Sequence, residues 1–337
     1  MFNEIKTLCT LNGTSGREAN IRDYIIKEIE DYVDYTVDAL GNIIAFKKGS
    51  QPRNKKLMVC AHMDEVALII TYIDSNGFLK FTCVGGIDPQ VLAGKTVSVN
   101  GNVGVIGVKP THLLSSKEKE SFPSVSDLYI DIGATSDEDA RKYVTEGDIA
   151  YFVSDCIELG TDKLKAKAID DRFGCAVLLK LIRQEIRYDT YFVFTVQEEV
   201  GTRGAMTSAF SVAPDYAIVI EATTAADLLG VDGENKVCEL GKGAVVSFMD
   251  RGTVYDNNLY KFSFSLAKKR NIDIQTKTKV AGGNDASAIH KSRCGVKTVA
   301  VSIPCRYIHS PSCVVNKKDI DSVYSLVNAL IEELPND

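Results

Sequence analysis

The run KKLMVCAHMDE, residues 55–65, decides how the chain is read. Leu57 to Ala61 form an apolar, β-rich segment, and a histidine and two acids follow it at once. Upstream, Ser15-Gly16-Arg17-Glu18 has capping-box spacing. Ile21, Ile25, Ile29 and Val33 then recur every fourth residue, the stripe of an amphipathic helix. TVDALGNIIAFKKG (36–49) reads as two extended runs around a Gly41-Asn42 turn. Helix, hairpin and buried strand in that order open an α/β sheet. Downstream, IDDRFGCAVLLKLIRQE (169–185) is the body of a helix. TYFVFTVQEE (190–199) and PDYAIVIEA (214–222) are buried strands. AGGNDASAIH (281–290), GVKTVAVSIP (295–304) and a closing helix near 318–334 complete this frame.

Between residues 67 and 162 the texture changes. Short β-type runs (LIITYI, FLKFTCV, KTVSVN, NVGVIGV, LYIDIG, IAYFV) alternate with Gly, Asn and Asp turns, and only SDEDARKYV (136–144) looks helical. The expected organisation is a discontinuous α/β domain, 1–66 with 163–337, carrying a β-rich, barrel-like insertion at 67–162. Lys163, Lys165 and Lys167 alternate with Leu164 and Ala166, as on the solvated face of a strand. SSKEKESFPSVSD (115–127) is a polar surface loop.

With 337 residues, 45% hydrophobic and 25% charged, the composition is that of an ordinary globular protein. A net charge of -6 argues against nucleic acid or an acidic membrane surface as partner. No apolar run approaches the roughly 20 residues needed to span a bilayer. The first residues lack a basic segment followed by an apolar one, so no secretory signal is expected. Nine cysteines without a C-x-x-C pair point to reduced core thiols and a cytoplasmic protein.

The chemistry lies where strands should end. His62 and Asp64 follow the first buried strand. Asp170 and Asp171 follow the lysine-rich one, Glu198 and Glu199 follow FVFTV, and Glu221 follows AIVI. Ligands of open α/β sheets bind at the carboxyl ends of strands, so these groups can meet in one crevice. A buried strand ending in adjacent glutamates is costly unless the charges are paired, hydrogen-bonded or metal-bound. Each motif alone has a bland reading as a surface pair, a solvated turn or a buried loop histidine. Together, histidine and carboxylates without cysteine suit zinc, cobalt or manganese in an open catalytic site. A bridging carboxylate would hold two ions roughly 3.5–4 Å apart, and a further glutamate could act as general base toward a bridging water.

AHMDEV, KAIDDRFGC, QEEVGTRGA, AGGNDASAIH and RYIHSP, in this order along nearly the whole chain, resemble the signature segments of family 42 of the metallopeptidases. These are the tetrahedral (TET) aminopeptidases, which include glutamyl and deblocking enzymes and some members labelled endoglucanases. The resemblance implies a mixed-sheet, phosphorylase/hydrolase-like di-metal domain with an inserted small β-rich domain. It assigns His62, Asp170 and Glu221 to one ion, and Asp170, Glu199 and His309 to the other, with Asp170 bridging. Glu198 corresponds to the general base and Asp64 to the carboxylate orienting His62. The Asp170–Asp171 peptide is expected to be cis. The chain departs from the family at Glu221, where many relatives carry Asp, and at Ala67, where Gly is usual. His112 and His290 read as structural or solvent-facing.

The implied activity is removal of N-terminal residues from short peptides with a free amine. A glycoside hydrolase using two of the carboxylates leaves His62 and His309 unexplained, and the chain has no tryptophan for a sugar platform. A related metal-dependent deacylase or carboxypeptidase is a third reading, and a catalytically dead module a fourth. In the family the insertion mediates dimerisation, and six dimers close into a dodecamer, here about 440 kDa from a 36.8 kDa chain.

Overall fold

The computed structural model describes residues 1–336. After α1 (Phe2–Thr10), the isoleucine stripe forms α2 (Ala19–Ile29), with Ile21, Ile25 and Ile29 all buried. The capping box does not form. Helix α2 begins without a side-chain cap, because Ser15 and Glu18 bond to groups elsewhere in the fold. β1 (Asp34–Val37) and β2 (Ile43–Lys47) pair antiparallel across the Gly41-Asn42 turn. β3 (Leu57–His62) is buried at every position.

The next strands are β4 (Ala67–Ile73), β5 (Leu79–Val84), β6 (Thr96–Val99), β7 (Asn102–Gly107), β8 (Tyr129–Asp131) and β9 (Ile149–Phe152). They close into a barrel in the order β4-β5-β8-β7-β6-β9. Leu68, Ile70, Leu79, Val97, Val99, Ile106 and Ile130 fill its interior. The expected helix near 136–144 is a single turn, α3 (Asp137–Ala140), capped by Ser136.

The chain continues with β10 (Ile157–Leu159), β11 (Lys163–Ala166), α4 (Ile169–Ile182), β12 (Thr190–Thr195), α5 (Arg203–Val212), β13 (Tyr216–Thr224) and β14 (Ala244–Val246). It ends with α6 (Asn257–Arg270), β15 (Ile274–Thr276), α7 (Ala286–Ile289), β16 (Lys297–Cys305), β17 (Cys313–Asn316) and α8 (Lys317–Glu333). The main sheet is eight-stranded, in the order β1-β2-β12-β3-β13-β16-β14-β15. Its four central strands, β12, β3, β13 and β16, run parallel, and antiparallel pairings flank them. Successive residues of β13 point to opposite faces. Ile218 and Ile220 pack with Phe173 and Val177 of α4 and Val323 and Leu330 of α8. Ala217 and Val219 pack with Ala205 and Ala209 of α5 and Ile289 of α7. The sheet is therefore covered on both sides, which is why its central strands read as unbroken apolar runs.

The chain divides into two units. The first comprises Met1–Glu65, Cys156–Ile308 and the chain from Ser312; the second comprises Val66–Asp155 with His309–Pro311. Residues 156–162, read from the sequence as part of the insertion, group with the first unit because β10 pairs with β11, Ile157 opposite Lys165. β11 shows the expected alternation, with Lys163 and Lys165 half-buried and Leu164 and Ala166 buried, but Lys167 just beyond it departs from the solvated reading. Lys167 is buried, and its Nζ lies 2.8 and 2.7 Å from the two carboxylate oxygens of Glu65.

Candidate metal centre

The parallel register of the central strands brings the acidic ends together. His62 closes β3 opposite Thr195, the last residue of β12. Val219 of β13 pairs with Cys60, so Glu221 and His62 each stand two residues beyond that pair, on neighbouring strands. Asp170 and Asp171 open α4 with non-helical backbone angles, and the peptide between them is cis, as the resemblance implies.

His62 is buried at the centre of this group. Its Nε2 lies 3.2 Å from Asp170 Oδ1 and 3.7 Å from Glu221 Oε2. Its Nδ1 lies 3.1 Å from the Asp64 carbonyl and 3.4 Å from Asp64 Oδ1. The imidazole thus presents Nε2 to the acidic cluster, while its other nitrogen is turned to Asp64, the arrangement of a ligating histidine and its orienting carboxylate. The His62 N–H donates to Asp171 Oδ2 (3.3 Å), and Asp171 Oδ1 accepts from the Gly174 N–H (3.0 Å). Only glycine fits at 174, since a Cβ there would stand 2.3 Å from Asp171 Oδ2.

Asp64 ties the glutamate turn to this centre. Oδ1 accepts from the Glu198 N–H (3.0 Å), and Oδ2 accepts from the Glu199 N–H (3.1 Å) and the Ser15 hydroxyl (2.6 Å). Beneath the turn, Thr195 Oγ1 donates to Asp285 Oδ2 at 2.5 Å.

The electrostatics call for a cation. Burial pushes the Asp171, Glu198 and Glu221 carboxyls well above their ordinary range; His62 opposes the shift and neighbouring carboxylates add to it. Burial likewise lifts Asp285 to about 6. Burial would lower His62, but Glu221, Asp170 and Asp64 outweigh it and hold the imidazole well above its usual range. Asp64 goes the other way: burial is overcome by His62 and Ser15, and its pKa is lowered. Glu221 Oε1 is buried and finds no hydrogen-bond partner among the described residues. Two sets of ligand atoms could each hold an ion, His62–Asp171–Glu221 and His62–Asp170–Glu199, the atoms within each set lying within 4.8 Å of one another. Asp171 stands in the first where the resemblance implies Asp170, and His62 in the second where it implies His309. One imidazole among several carboxylates, with no thiolate, fits a divalent cation of the zinc, cobalt or manganese type.

Of the residues picked out in the sequence, His62, Asp64, Asp170, Glu198, Glu199 and Glu221 are thus gathered in one cluster, although Glu221 lies within β13 and not beyond its end and Asp170 lies in the first turn of α4. His309 groups with the second unit, where its Nδ1 lies 2.7 Å from the Gly86 carbonyl. His290 Nδ1 contacts the Ala286 carbonyl in its own helical turn (2.7 Å), a local bond. Asp171 was visible only as the neighbour of Asp170. The sequence marks Ser15 and Glu18 only as a helix cap and does not mark Thr195 or Asp285, because their bonds to Asp64, Gln197 and one another join segments far apart in the chain.

A buried histidine and carboxylate cluster toward the carboxyl ends of parallel strands defines a candidate divalent-cation site on an α/β sheet. Residues 41–326 match the model of the M42 glutamyl aminopeptidase family. The chain is 41% identical over 331 residues to a putative aminopeptidase of Acetivibrio thermocellus, covering 97% of each. Among solved structures it resembles an aminopeptidase of the archaeon Desulfurococcus kamchatkensis, with a TM-score of 0.93, 37% identity, and 98% and 94% of the two chains covered. It is also similar to the Pyrococcus horikoshii TET1 peptidase, which can assemble into a tetrahedron or a large octahedral shell, with a TM-score of 0.87, 37% identity and 99% of each chain covered. The chain belongs to the M42 aminopeptidase family. It is accordingly a metallopeptidase, a hydrolase of peptide bonds. No helix among the described residues is long and apolar enough to cross a membrane.

Proposed function

We propose that the chain removes N-terminal residues from short peptides at a two-cation site held by His62, Asp170, Glu199, Glu221 and His309. The observation that carries this reading is the convergence of Asp170 and Glu221 on His62 Nε2, at 3.2 and 3.7 Å, in a buried cluster with more carboxylates than cations. Asp170 would be the ligand shared by the two ions, a role that rests on the resemblance, since the two ligand sets above share His62. The place of His309 rests on the resemblance alone, and the metal content of His309→Ala tests it. Divalent ions bound there supply Lewis acidity toward the scissile carbonyl and bring the pKa of water toward neutrality.

The protein's own groups do the rest. Glu198 takes a proton from the attacking water and returns it to the departing amine. Burial raises that carboxyl and makes it more basic, while cations bound beside it would oppose the shift and keep it ionised to accept a proton. Asp64 holds His62 in one orientation and fixes the backbone of both glutamates. A free substrate amine fits a cluster with surplus negative charge; an acetylated one does not.

The barrel serves assembly: dimers formed through it close into a dodecameric shell, as the relative that forms a tetrahedron encourages. Enclosure would confine a cytoplasmic exopeptidase to short peptides. A panel of aminoacyl amides, assayed after reconstitution with zinc, cobalt or manganese, tests the activity. Cleavage of free but not acetylated substrates is expected. Equal cleavage of both would indicate a deacylase or endopeptidase instead.

A further inference from the structure

The segment Gly13-Thr14-Ser15-Gly16-Arg17-Glu18 precedes the region matched by the family, which begins at residue 41, yet it reaches both loops of the metal centre. Thr14 Oγ1 donates to the Glu65 carbonyl (2.7 Å), and the Gly13 and Glu65 backbones bond to one another through the Glu65 N–H (3.1 Å). The Gly13 N–H donates to Glu65 Oε1 (3.1 Å), and Arg172 holds the Gly13 carbonyl (3.1 Å). The segment is thereby fastened beside the His62–Glu65 loop.

From this anchored position, two side chains reach toward the glutamate turn. The Ser15 hydroxyl donates to Asp64 Oδ2 at 2.6 Å. Glu18 is buried, and its Oε1 accepts from the Gly16 N–H (2.8 Å) and from the Gln197 N–H (3.1 Å). Gln197 is left-handed, with φ of 55°, a conformation unusual outside glycine and asparagine. The result is a run of three amides, at Gln197, Glu198 and Glu199, each received by a carboxylate: the first by Glu18, the next two by Asp64. Successive N–H groups in a turn form a concave donor surface that binds anions. Here two fixed carboxylates occupy it and set the backbone from which both glutamate side chains project.

We propose that Ser15 and Glu18 are positioning residues of the reaction, and that the N-terminal turn is a clamp fixing Glu198 and Glu199 through Asp64 and Gln197. The inference rests on the role of Glu198 given above. Ser15 keeps Asp64 from rotating away from the Glu199 amide, and Glu18 holds the strained entry to the turn. Neither needs to touch substrate.

The test uses the full chain, reconstituted with cobalt and assayed on an aminoacyl amide. In Ser15→Ala, kcat should fall about tenfold or more, the loss expected for one bond to a charged group, while KM and metal per chain hold. Ser15→Thr, which keeps the hydroxyl, should recover most of it. Hydrogen exchange read by mass spectrometry should quicken at the Glu198 and Glu199 amides in Ser15→Ala, and at Gln197 in Glu18→Ala. Wild-type kcat in Ser15→Ala overturns the proposal, as does a loss with unchanged exchange at these amides. A loss that follows melting temperature or metal content, and that threonine does not relieve, assigns the segment a purely structural role and overturns it too. Failure of Glu198→Gln to lose turnover would instead overturn the reading on which the clamp rests.

Discussion

The main sheet and the barrel are both built of short β-strands, but they handle polarity in opposite ways. In the barrel, β6 and β9 alternate buried and half-buried residues along their whole length, and the enclosed side chains are apolar. In the main sheet, β3 is buried throughout, β13 nearly so, and the site's polarity lies toward the carboxyl ends, with His62 closing β3 and Glu221 within the last half of β13. A barrel strand has water on one side, so its polar residues cost little and carry no message. A strand covered on both faces has no such outlet, and a carboxylate at its end needs a partner. Buried charge accompanies the chemistry in the first unit, although it also occurs elsewhere there, as at Lys167 and Glu65, while among the described residues the second unit buries no Asp, Glu, Lys or Arg. The contrast makes predictions that differ in size.

The largest effect is expected at Asp170. It lies against His62 Nε2, and as the proposed bridge it serves both ions. Asp170→Ala should lose at least one ion per chain, fall to background turnover, and melt at a lower temperature, because ligand binding to the native state stabilises it. Elemental analysis and a thermal scan measure this, and two ions retained per chain would remove the bridge. Glu198→Gln comes next. The amide keeps the shape but accepts no proton, so turnover should drop by about 10²- to 10⁴-fold with metal content intact. Full activity would strike Glu198 from the mechanism.

Asp170 was legible in the sequence because it stands in an acidic pair at the end of the lysine-rich strand, and Glu198 because it follows an apolar run, where a charge is conspicuous. The α/β frame was legible for the same reason, and the barrel through its turn spacing. Ser15 and Glu18 show the limit. Their spacing satisfied the rule for a helix cap, yet Asp64 and the Gln197 amide, 49 and 179 residues away, took their hydrogen bonds. The Ser15 hydroxyl turns to donate to the charged Asp64 carboxylate, and the Glu18 carboxylate receives the Gly16 and Gln197 amides in place of the Ser15 amide. Lys167 misled in the same manner: its alternation with Leu164 and Ala166 fits a wet strand face, and its partner Glu65 lies far away in sequence. The excursion of His309–Pro311 into the second unit has no local signature either.

Lys167 supplies an intermediate test, of buried charge that does no chemistry. Its ammonium and the Glu65 carboxylate are both buried, 2.7 Å apart. Lys167→Met would leave Glu65 buried with less compensation, though Arg172 still lies 3.3 Å away. Breaking such a pair costs about 3 kcal/mol, a drop of several degrees in melting temperature. The loss should appear in stability far more than in turnover. An unchanged melting temperature would show that Arg172 and the Gly13 amide suffice for Glu65.

The smallest effect on chemistry is expected in the barrel, where the contrast predicts a different readout altogether. Val103 and Val105 of β7 are 64% and 47% exposed, and Phe122 is 73% exposed, so this unit carries apolar side chains on its outer surface. Glycine between the two valines is tightly packed: a Cβ at Gly104 would stand 2.8 Å from Ile130 Cγ2, so the strand keeps its inward side close and its valines outward. Apolar side chains left in water favour burial against another surface, and self-complementary surfaces close into symmetric assemblies. Val103→Asp places a charge there without touching the barrel interior. For the assembled wild type, light scattering should give about 440 kDa, and the variant should shift toward dimer or monomer mass. Because an exposed substitution perturbs folding by only about 0.5 kcal/mol, kcat/KM on a small aminoacyl amide should stay within about twofold. A variant that keeps its full mass would place the assembly surface elsewhere. One that loses turnover in proportion to mass would mean that the barrel contributes to catalysis through assembly, and the division of labour between the two units would fail.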